Sequence, residues 1–246
     1  MCGIAGIVPS NPNGKTMDYD RLEQLHTLFL AIEDRGGHAC GIAHKNIDWG
    51  ICVEKGPYNP SSIDFARFCE MVTLDNDWVL MHTRYTTQGS IHNNDNNHPI
   101  DNHNHIVTHN GVLWNDDNVF DYWGNDIRCA EVDSEAINAA LNYGGVEWLT
   151  EFVQGSYSLA WVDRSNSTVV NLLTNGRNPL VIGRLADNSV VWASNLYHLT
   201  DAFGEDLVQS FNAMPFKLYT ICSTDMVIRS EFRTEKRANP TVLGRR

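Results

Sequence analysis

The sequence predicts an α+β fold with mainly antiparallel sheets and helices on the outside. Three observations carry this. Apolar residues recur at helical spacing in only a few blocks; the second half reads as strand after strand closed by tight turns; and no internal repeat or interdomain linker interrupts the 246 residues. Strands and helices grouped in blocks, rather than alternating, favour antiparallel sheets over a doubly wound one. The length suffices for one sizeable core.

In chain order, Gly3–Val8 reads as a buried strand, ended by the Pro/Asn/Gly cluster from Pro9 to Gly14. Leu22, Leu25, Leu28, Phe29 and Ile32 share one helical face, which predicts a helix over Asp18–Asp34 that stops at Gly36-Gly37. Short strands follow near Ala39–His44 and Ile51–Lys55, then a helix capped by Ser61-Ser62 and running through Met71, then a strand over Trp78–Thr83. From Arg84 to His105 the chain is polar, rich in Asn and His and without periodicity, as functional loops often are. A strand over Ile106–His109 is expected to turn at Asn110-Gly111. Asp133-Ser134-Glu135 opens a helix to Tyr143, Gly144-Gly145 stops it, and a second helix covers Val146–Val153. Strands are expected at Ser156–Asp163, Thr168–Leu173, Leu180–Arg184, Ser189–Ala193 and Phe216–Ile221, with turns at Asn175-Gly176 and Asp187-Asn188.

The net charge of −12 argues against broad binding to nucleic acid or anionic membranes. Charge is unevenly spread: Arg229–Arg246 holds six Lys/Arg against two Asp/Glu, leaving −16 for the rest. A domain over residues 1–230 and a basic tail over 231–246 are therefore expected, the tail being a solvated end or a docking segment. No membrane-length apolar run or signal peptide is visible, so a cytoplasmic placement is expected. Cys2, Cys40, Cys52, Cys69, Cys129 and Cys222 are scattered without a Cys-x-x-Cys pair, which suits reduced thiols.

The chemistry starts at Met1-Cys2-Gly3. If Met1 is removed, Cys2 carries a thiol and a free α-amine together, and the amine can serve as general base for the thiol. A thiolate attacking a carboxamide makes a tetrahedral oxyanion, for which the Asn110 side-chain amide and the Gly111 N–H are candidate donors. An amino-acid substrate offers an α-carboxylate, which suits the Arg84 guanidinium fork, and an α-ammonium, which suits a buried Asp133. Each residue alone has an ordinary explanation: a surface charge for Arg84, a common turn for Asn110-Gly111, a helix cap for Asp133.

In order and spelling, Cys2-Gly3-Ile4-Ala5-Gly6, His82-Thr83-Arg84-Tyr85-Thr86-Thr87-Gln88-Gly89, Asn97-His98-Pro99, His109-Asn110-Gly111 and Asp133-Ser134-Glu135 resemble the class II (N-terminal nucleophile) glutamine amidotransferases. Most similar is the glutaminase domain of glucosamine-6-phosphate synthases. Pro179–Gly183 and Ala193-Ser194-Asn195 look like that family's terminal strands, so the likeness covers residues 1 to about 225. The resemblance implies a four-layer αββα sandwich of two antiparallel sheets. It implies Cys2 as nucleophile, Asn110 and Gly111 as the oxyanion hole, Arg84 on the glutamine α-carboxylate, Asp133 on the α-amine and Thr87 along the substrate. Arg35 would hold Cys2 and the loops around it. The implied activity is release of ammonia from L-glutamine without a cofactor, the ammonia passing to an acceptor site on a separate protein.

This chain departs from the pattern at His38-Ala39, where the family usually has Asp-Ser, at Tyr85, where it has Trp, and at Gln88, where it has His. Two other readings remain open at this point. One is an N-terminal nucleophile amidase for a different amide. The other is a non-catalytic module binding glutamine, or a metal held among His82, His92, His98, His103, His105, His109, Asp95 and Asp101, though their spacing is irregular.

Overall fold

Strand β1 (Gly3–Val8) is buried along its whole length and is central to one sheet of the computed structural model, which describes residues 1–10, 17–102 and 104–233. Its alternation sets the layers. Ala5 and Ile7 face a core shared with helices, while Ile4 and Val8 face a core shared with a second sheet.

The chain continues through α1 (Tyr19–Ala31), β2 (Ala39–Asn46), β3 (Gly50–Gly56), α2 (Phe65–Met71) and β4 (Asn76–Arg84). Then come β5 (Ile100–Asp101), β6 (His105–Leu113), α3 (Asp116–Trp123), α4 (Glu135–Phe152), β7 (Gly155–Asp163) and β8 (Val169–Thr174). The last elements are β9 (Val181–Leu185), β10 (Val190–Ala193), α5 (Leu196–Phe203), β11 (Leu207–Asn212), β12 (Lys217–Cys222) and β13 (Ile228–Phe232). Among the described residues, seven strands form one sheet in the order β11-β9-β10-β1-β4-β2-β3, and six form the other in the order β13-β12-β8-β7-β6-β5. Every pairing is antiparallel.

Leu22, Leu25 and Phe29 of α1, Phe68 of α2 and Leu199 of α5 cover the outer face of the first sheet. Trp78 and Leu80 meet Ile106, Val162 and Leu172 between the sheets, and Phe120, Ile137 and Leu149 cover the second sheet's outer face beside Val107 and Trp161. The result is the αββα sandwich, with its sheets antiparallel as expected.

The local expectations fare unevenly. Helix α1 buries the expected leucines, but it ends at Ala31 and passes into a 3-10 turn over Ile32–Arg35. Helix α2 is capped by Asp64, whose carboxylate accepts from Arg67 N; Pro60–Ser62 forms a separate 3-10 turn, so Ser61-Ser62 is not the cap. Asn110-Gly111 is no turn. Both residues lie inside β6, paired with Ser158 and Tyr157 of β7. Helix α4 breaks at Gly145 (φ 72°), where the glycine pair had placed a stop. The expected boundary after residue 230 falls inside β13, which pairs with β12 as far as Phe232, and Arg233 forms ion pairs with Glu147 and Glu231. The remainder of the tail, most of the Pro9–Gly14 cluster and His103 lie outside the described residues. No helix among the described residues is long and apolar enough to cross a membrane.

Candidate active site

Cys2 stands at the mouth of β1, one residue before the strand starts. Gly3 pairs with Thr83 of β4, so Arg84 and Tyr85, just beyond Thr83, lie beside Cys2. The pairing needs a glycine: a β-carbon on Gly3 would come within 2.5 Å of Thr83 Oγ1 and 2.6 Å of the Ile32 carbonyl oxygen. The Cys2 thiol faces the Tyr85 carbonyl oxygen at 3.7 Å, and Arg35 Nε donates to the Cys2 carbonyl oxygen at 3.0 Å. As a residue Cys2 is partly exposed, but burial of its thiol pushes the pKa up. The contact with Tyr85 and the positive charges of the chain terminus and Arg84 pull it down, while Asp133 adds to the rise.

Arg84 is buried, and its guanidinium is spent on neutral acceptors: Nη1 on Asn97 Oδ1 at 2.8 Å, Nη2 on the carbonyls of Gln88 and Gly89. Burial lowers its pKa, and the charges of Cys2, Asp133 and Glu131 act in the opposite direction. Asn97 is itself held by its amide, which donates to the Ile91 carbonyl at 2.7 Å. Thr87 and Gln88 lie exposed on the loop after β4, and Tyr85 is half-exposed.

The departure at residue 38 proves to be a local fit. His38 Nδ1 accepts from Thr86 N at 3.0 Å, its backbone N–H donates to the Arg84 carbonyl at 3.0 Å, and its ring lies 4.9 Å from that of Tyr85. The imidazole thus braces the Tyr85–Thr86 segment from outside.

Asn110 and Gly111 come from β6, in the second sheet. Asn178 Nδ2 donates to the Asn110 carbonyl at 2.9 Å, which fixes the backbone. The Asn110 side chain is fully buried, yet among the described residues neither its nitrogen nor its oxygen has a partner. A β-carbon on Gly111 would fall 1.8 Å from the Ser156 carbonyl oxygen, so the close pairing of β6 with β7 demands glycine there. Asp133 is buried, accepting from Leu113 N at 2.6 Å; Ser134 Oγ, 3.5 Å from its other oxygen, meets His109 Nδ1 at 2.8 Å.

Behind these residues three imidazoles pack together. The His82 and His98 rings stack with centroids 4.1 Å apart, and His109 lies 6.5 Å from His98. Burial pushes His82 down to about 3 and His98 well below the ordinary histidine value, and it lowers His109 as well. His82 Nε2 lies 3.0 Å from the His109 carbonyl oxygen, tying β4 to β6. Among the described residues no group of three or more His, Cys, Asp or Glu side chains is placed to hold a metal. His105 is engaged elsewhere, with Nδ1 2.6 Å from Asn142 Oδ1. A separate cavity of about 630 Å³ is lined by Lys55, Ile100, Ala130, Glu135, Tyr143 and Arg164.

Residues 82–201, which run from the end of β4 through most of α5, match the family described as a glutamine amidotransferase domain. In sequence and in fold the chain is similar to class II glutamine amidotransferase domains. The chain is 28% identical over 196 residues to glutamine--fructose-6-phosphate aminotransferase (isomerizing) of Staphylococcus aureus, covering 74% of the chain and 30% of that protein. It is 23% identical over 239 residues to 7-cyano-7-deazaguanine synthase of Saccharolobus solfataricus, covering 92% of the chain and 50% of that protein. The chain thus spans half or less of either relative. Among solved structures, the glutamine phosphoribosylpyrophosphate amidotransferase of B. subtilis superposes with a TM-score of 0.71 at 19% identity, over 96% of this chain and half of that one. A glutamine aminotransferase class-II domain protein from Silicibacter pomeroyi gives 0.60 at 14% identity, over 96% of this chain and all of that one. These two likenesses bear on the fold.

Several residues of the site had no individual signal in the sequence. Asn178 was hidden in a turn before Pro179, and Glu131, which accepts from Asn96 Nδ2 at 2.7 Å and bears on Arg84, stood in an acidic, aperiodic stretch.

Proposed function

We propose that this domain hydrolyses the side-chain amide of L-glutamine with Cys2 as nucleophile. The observation that carries the reading is the Asn110 side chain, a fully buried amide without a partner at either end among the described residues. Leaving a buried polar group unpaired costs about 1–3 kcal/mol, a cost that a bound oxyanion would offset. Such a group is ready for charge that appears only during reaction.

The steps follow from the residues. Once Met1 is removed, the Cys2 α-amine takes the thiol proton, and the thiolate adds to the carbonyl carbon (Cδ) of the glutamine side-chain amide. The oxyanion accepts hydrogen bonds from the Asn110 amide and the Gly111 N–H. Collapse of the tetrahedral adduct breaks the C–N bond; the ammonium of Cys2 returns its proton to the leaving nitrogen, giving ammonia and a γ-glutamyl thioester. Water, deprotonated by the same amine, then cleaves the thioester to glutamate and free thiol. The raised thiol pKa suits this order, because the thiol rests protonated until a base acts on it. Arg84 and Asp133 both bear on the Cys2 thiol electrostatically, an arrangement suited to an α-carboxylate and an α-ammonium. Thr87 would lie along the bound glutamine, and Tyr85, Gln88 and Arg35 would shape the mouth.

The ammonia is proposed to pass to an acceptor site on a separate protein, with the basic segment near the C-terminus as its contact. The deciding experiment is glutamate release from glutamine by wild type, Cys2→Ala and Cys2→Ser, with N-terminal sequencing of the active protein. Turnover that survives Cys2→Ala, or active protein that retains Met1, would sink the mechanism.

A further inference from the structure

Arg35 is one link in a ring of hydrogen bonds that runs from the nucleophile to the opposite edge of the mouth. Its Nε donates to the Cys2 carbonyl at 3.0 Å. With the Asn195 amide oriented as its neighbours require, Asn195 Oδ1 accepts from Arg35 Nη1 at 2.9 Å and the amide nitrogen donates to the Ser194 carbonyl at 3.3 Å. The Asn195 backbone N–H donates to His198 Nδ1 at 3.3 Å, and the other ring nitrogen of His198 meets Asp34 Oδ1 at 3.1 Å. Asp34 Oδ2 accepts from the Tyr197 hydroxyl. The ring then closes through the peptide from Asp34 to Arg35.

The burial of its members shows what is fixed. His198 is fully buried with both ring nitrogens engaged, one accepting and one donating, which specifies its neutral tautomer. Asp34 lies at the surface yet is met by two donors from α5. The same junction is pinned independently, since Ser194 Oγ accepts from Ile4 N at 3.0 Å and Ser194 N donates to the Ile4 carbonyl at 2.9 Å. A guanidinium on a long side chain gives up rotamer freedom when it is held, so it stays in place only if other groups fix it. Here Asp34 fixes the backbone of Arg35, and Asn195 fixes its far end.

We propose that Asp34, Asn195, Tyr197 and His198 are positioning residues for the nucleophile: through Arg35 they hold the Cys2 carbonyl, and so the thiol against Tyr85, in the attacking pose. None of the four touches the reacting atoms. The proposal rests on the glutaminase reading for its kinetic part only, because the pose of Cys2 can be followed chemically without any substrate.

The test compares Asp34→Ala, which removes the acceptor for both Tyr197 and His198, with Asp34→Asn, which keeps one oxygen. Tyr197→Phe, which deletes a single hydroxyl, is the variant least able to disturb folding. Two readouts are taken on the full chain: site-resolved iodoacetamide alkylation by mass spectrometry, and kcat and KM for glutamine. Asp34→Ala should alkylate several-fold faster at Cys2, because a released carbonyl lets the thiol leave the Tyr85 contact, while buried Cys40 stays unreactive. Its kcat should fall about 10- to 100-fold with KM little changed, since misplacing a reacting group is that costly. Tyr197→Phe should give the same signs at smaller size, and Asp34→Asn should recover most of both. Unchanged Cys2 alkylation in Asp34→Ala and Tyr197→Phe overturns the proposal. So does alkylation of Cys40 in parallel with Cys2 in both variants, or failure of Asn to rescue. If the wild type releases no glutamate, the glutaminase reading falls, and the alkylation series still decides the positioning role.

Discussion

The Cys2 thiol rests 3.7 Å from the Tyr85 carbonyl oxygen at the mouth of β1. Burial outweighs that contact and the nearby positive charges, and the thiol pKa is raised. Alkylation of Cys2 in the folded protein should therefore rise with pH to a midpoint above that of a free thiol. A site-resolved rate profile measures it, and a midpoint below the free-thiol value would show a pre-formed thiolate, leaving the α-amine without its task.

Asn110 should matter far more to rate than to stability. Its amide has no partner among the described residues, so Asn110→Ala should cost well under the ~1 kcal/mol of an ordinary hydrogen bond. Loss of an oxyanion donor should lower kcat about 100- to 1,000-fold with KM nearly unchanged. Denaturant titration and steady-state kinetics on one preparation check both; a large loss of stability would mean the amide is structural.

On the proposed reading Arg84 serves both the substrate carboxylate and the loop after β4, and Arg84→Lys separates these duties from charge. Lysine keeps the cation but loses the fork that holds Asn97 and the Gln88 and Gly89 carbonyls. The KM for glutamine should rise about 10-fold or more, since bonds to a charged group are worth about 1.5–3 kcal/mol, and Tm should fall with it. A KM equal to wild type would point to a substrate without an α-carboxylate.

The buried imidazoles predict acid sensitivity. His82, held down to about 3, and His98, also held well below its ordinary value, are neutral in the folded protein but take up protons when unfolded, near the ordinary histidine value of about 6.5. Between those values the unfolded state binds more protons, so stability is fully present above about pH 6.5 and is lost as pH falls toward 3. Denaturation midpoints from pH 7 to pH 4 should decline, and His98→Asn, which cannot be protonated, should flatten part of the slope. An unchanged slope in that variant would place the acid sensitivity in the carboxylates.

What the sequence made legible was whatever follows a local period or a short motif. The leucines of α1, the break at Gly145 and the run of strands after Gly155 are of that kind. The Asn110-Gly111 turn failed because a dipeptide with strong turn chemistry was outvoted by β7, which pairs with both residues. Helices α3 and α5 were not anticipated. Each has only eight residues, and an apolar face that short leaves little periodic signal. The site was legible as a set of residue types, but its bracing was not. Asn178, Glu131 and Asn195 act through single contacts to partners far along the chain, which no spacing reveals.

The place of β1 has a consequence for how the protein is made. Its two sheet neighbours are β4 and β10, so residues 3–8 wait for partners at 79–83 and 190–193. Pairings across such separations pay loop-closure entropy before they return any contact, and they form late. A nascent chain therefore carries the Cys2 thiol unhoused until more than three-quarters of the described sequence has been synthesised. Folding and arming are then one event, and a fragment cut before β10 leaves the thiol without its walls.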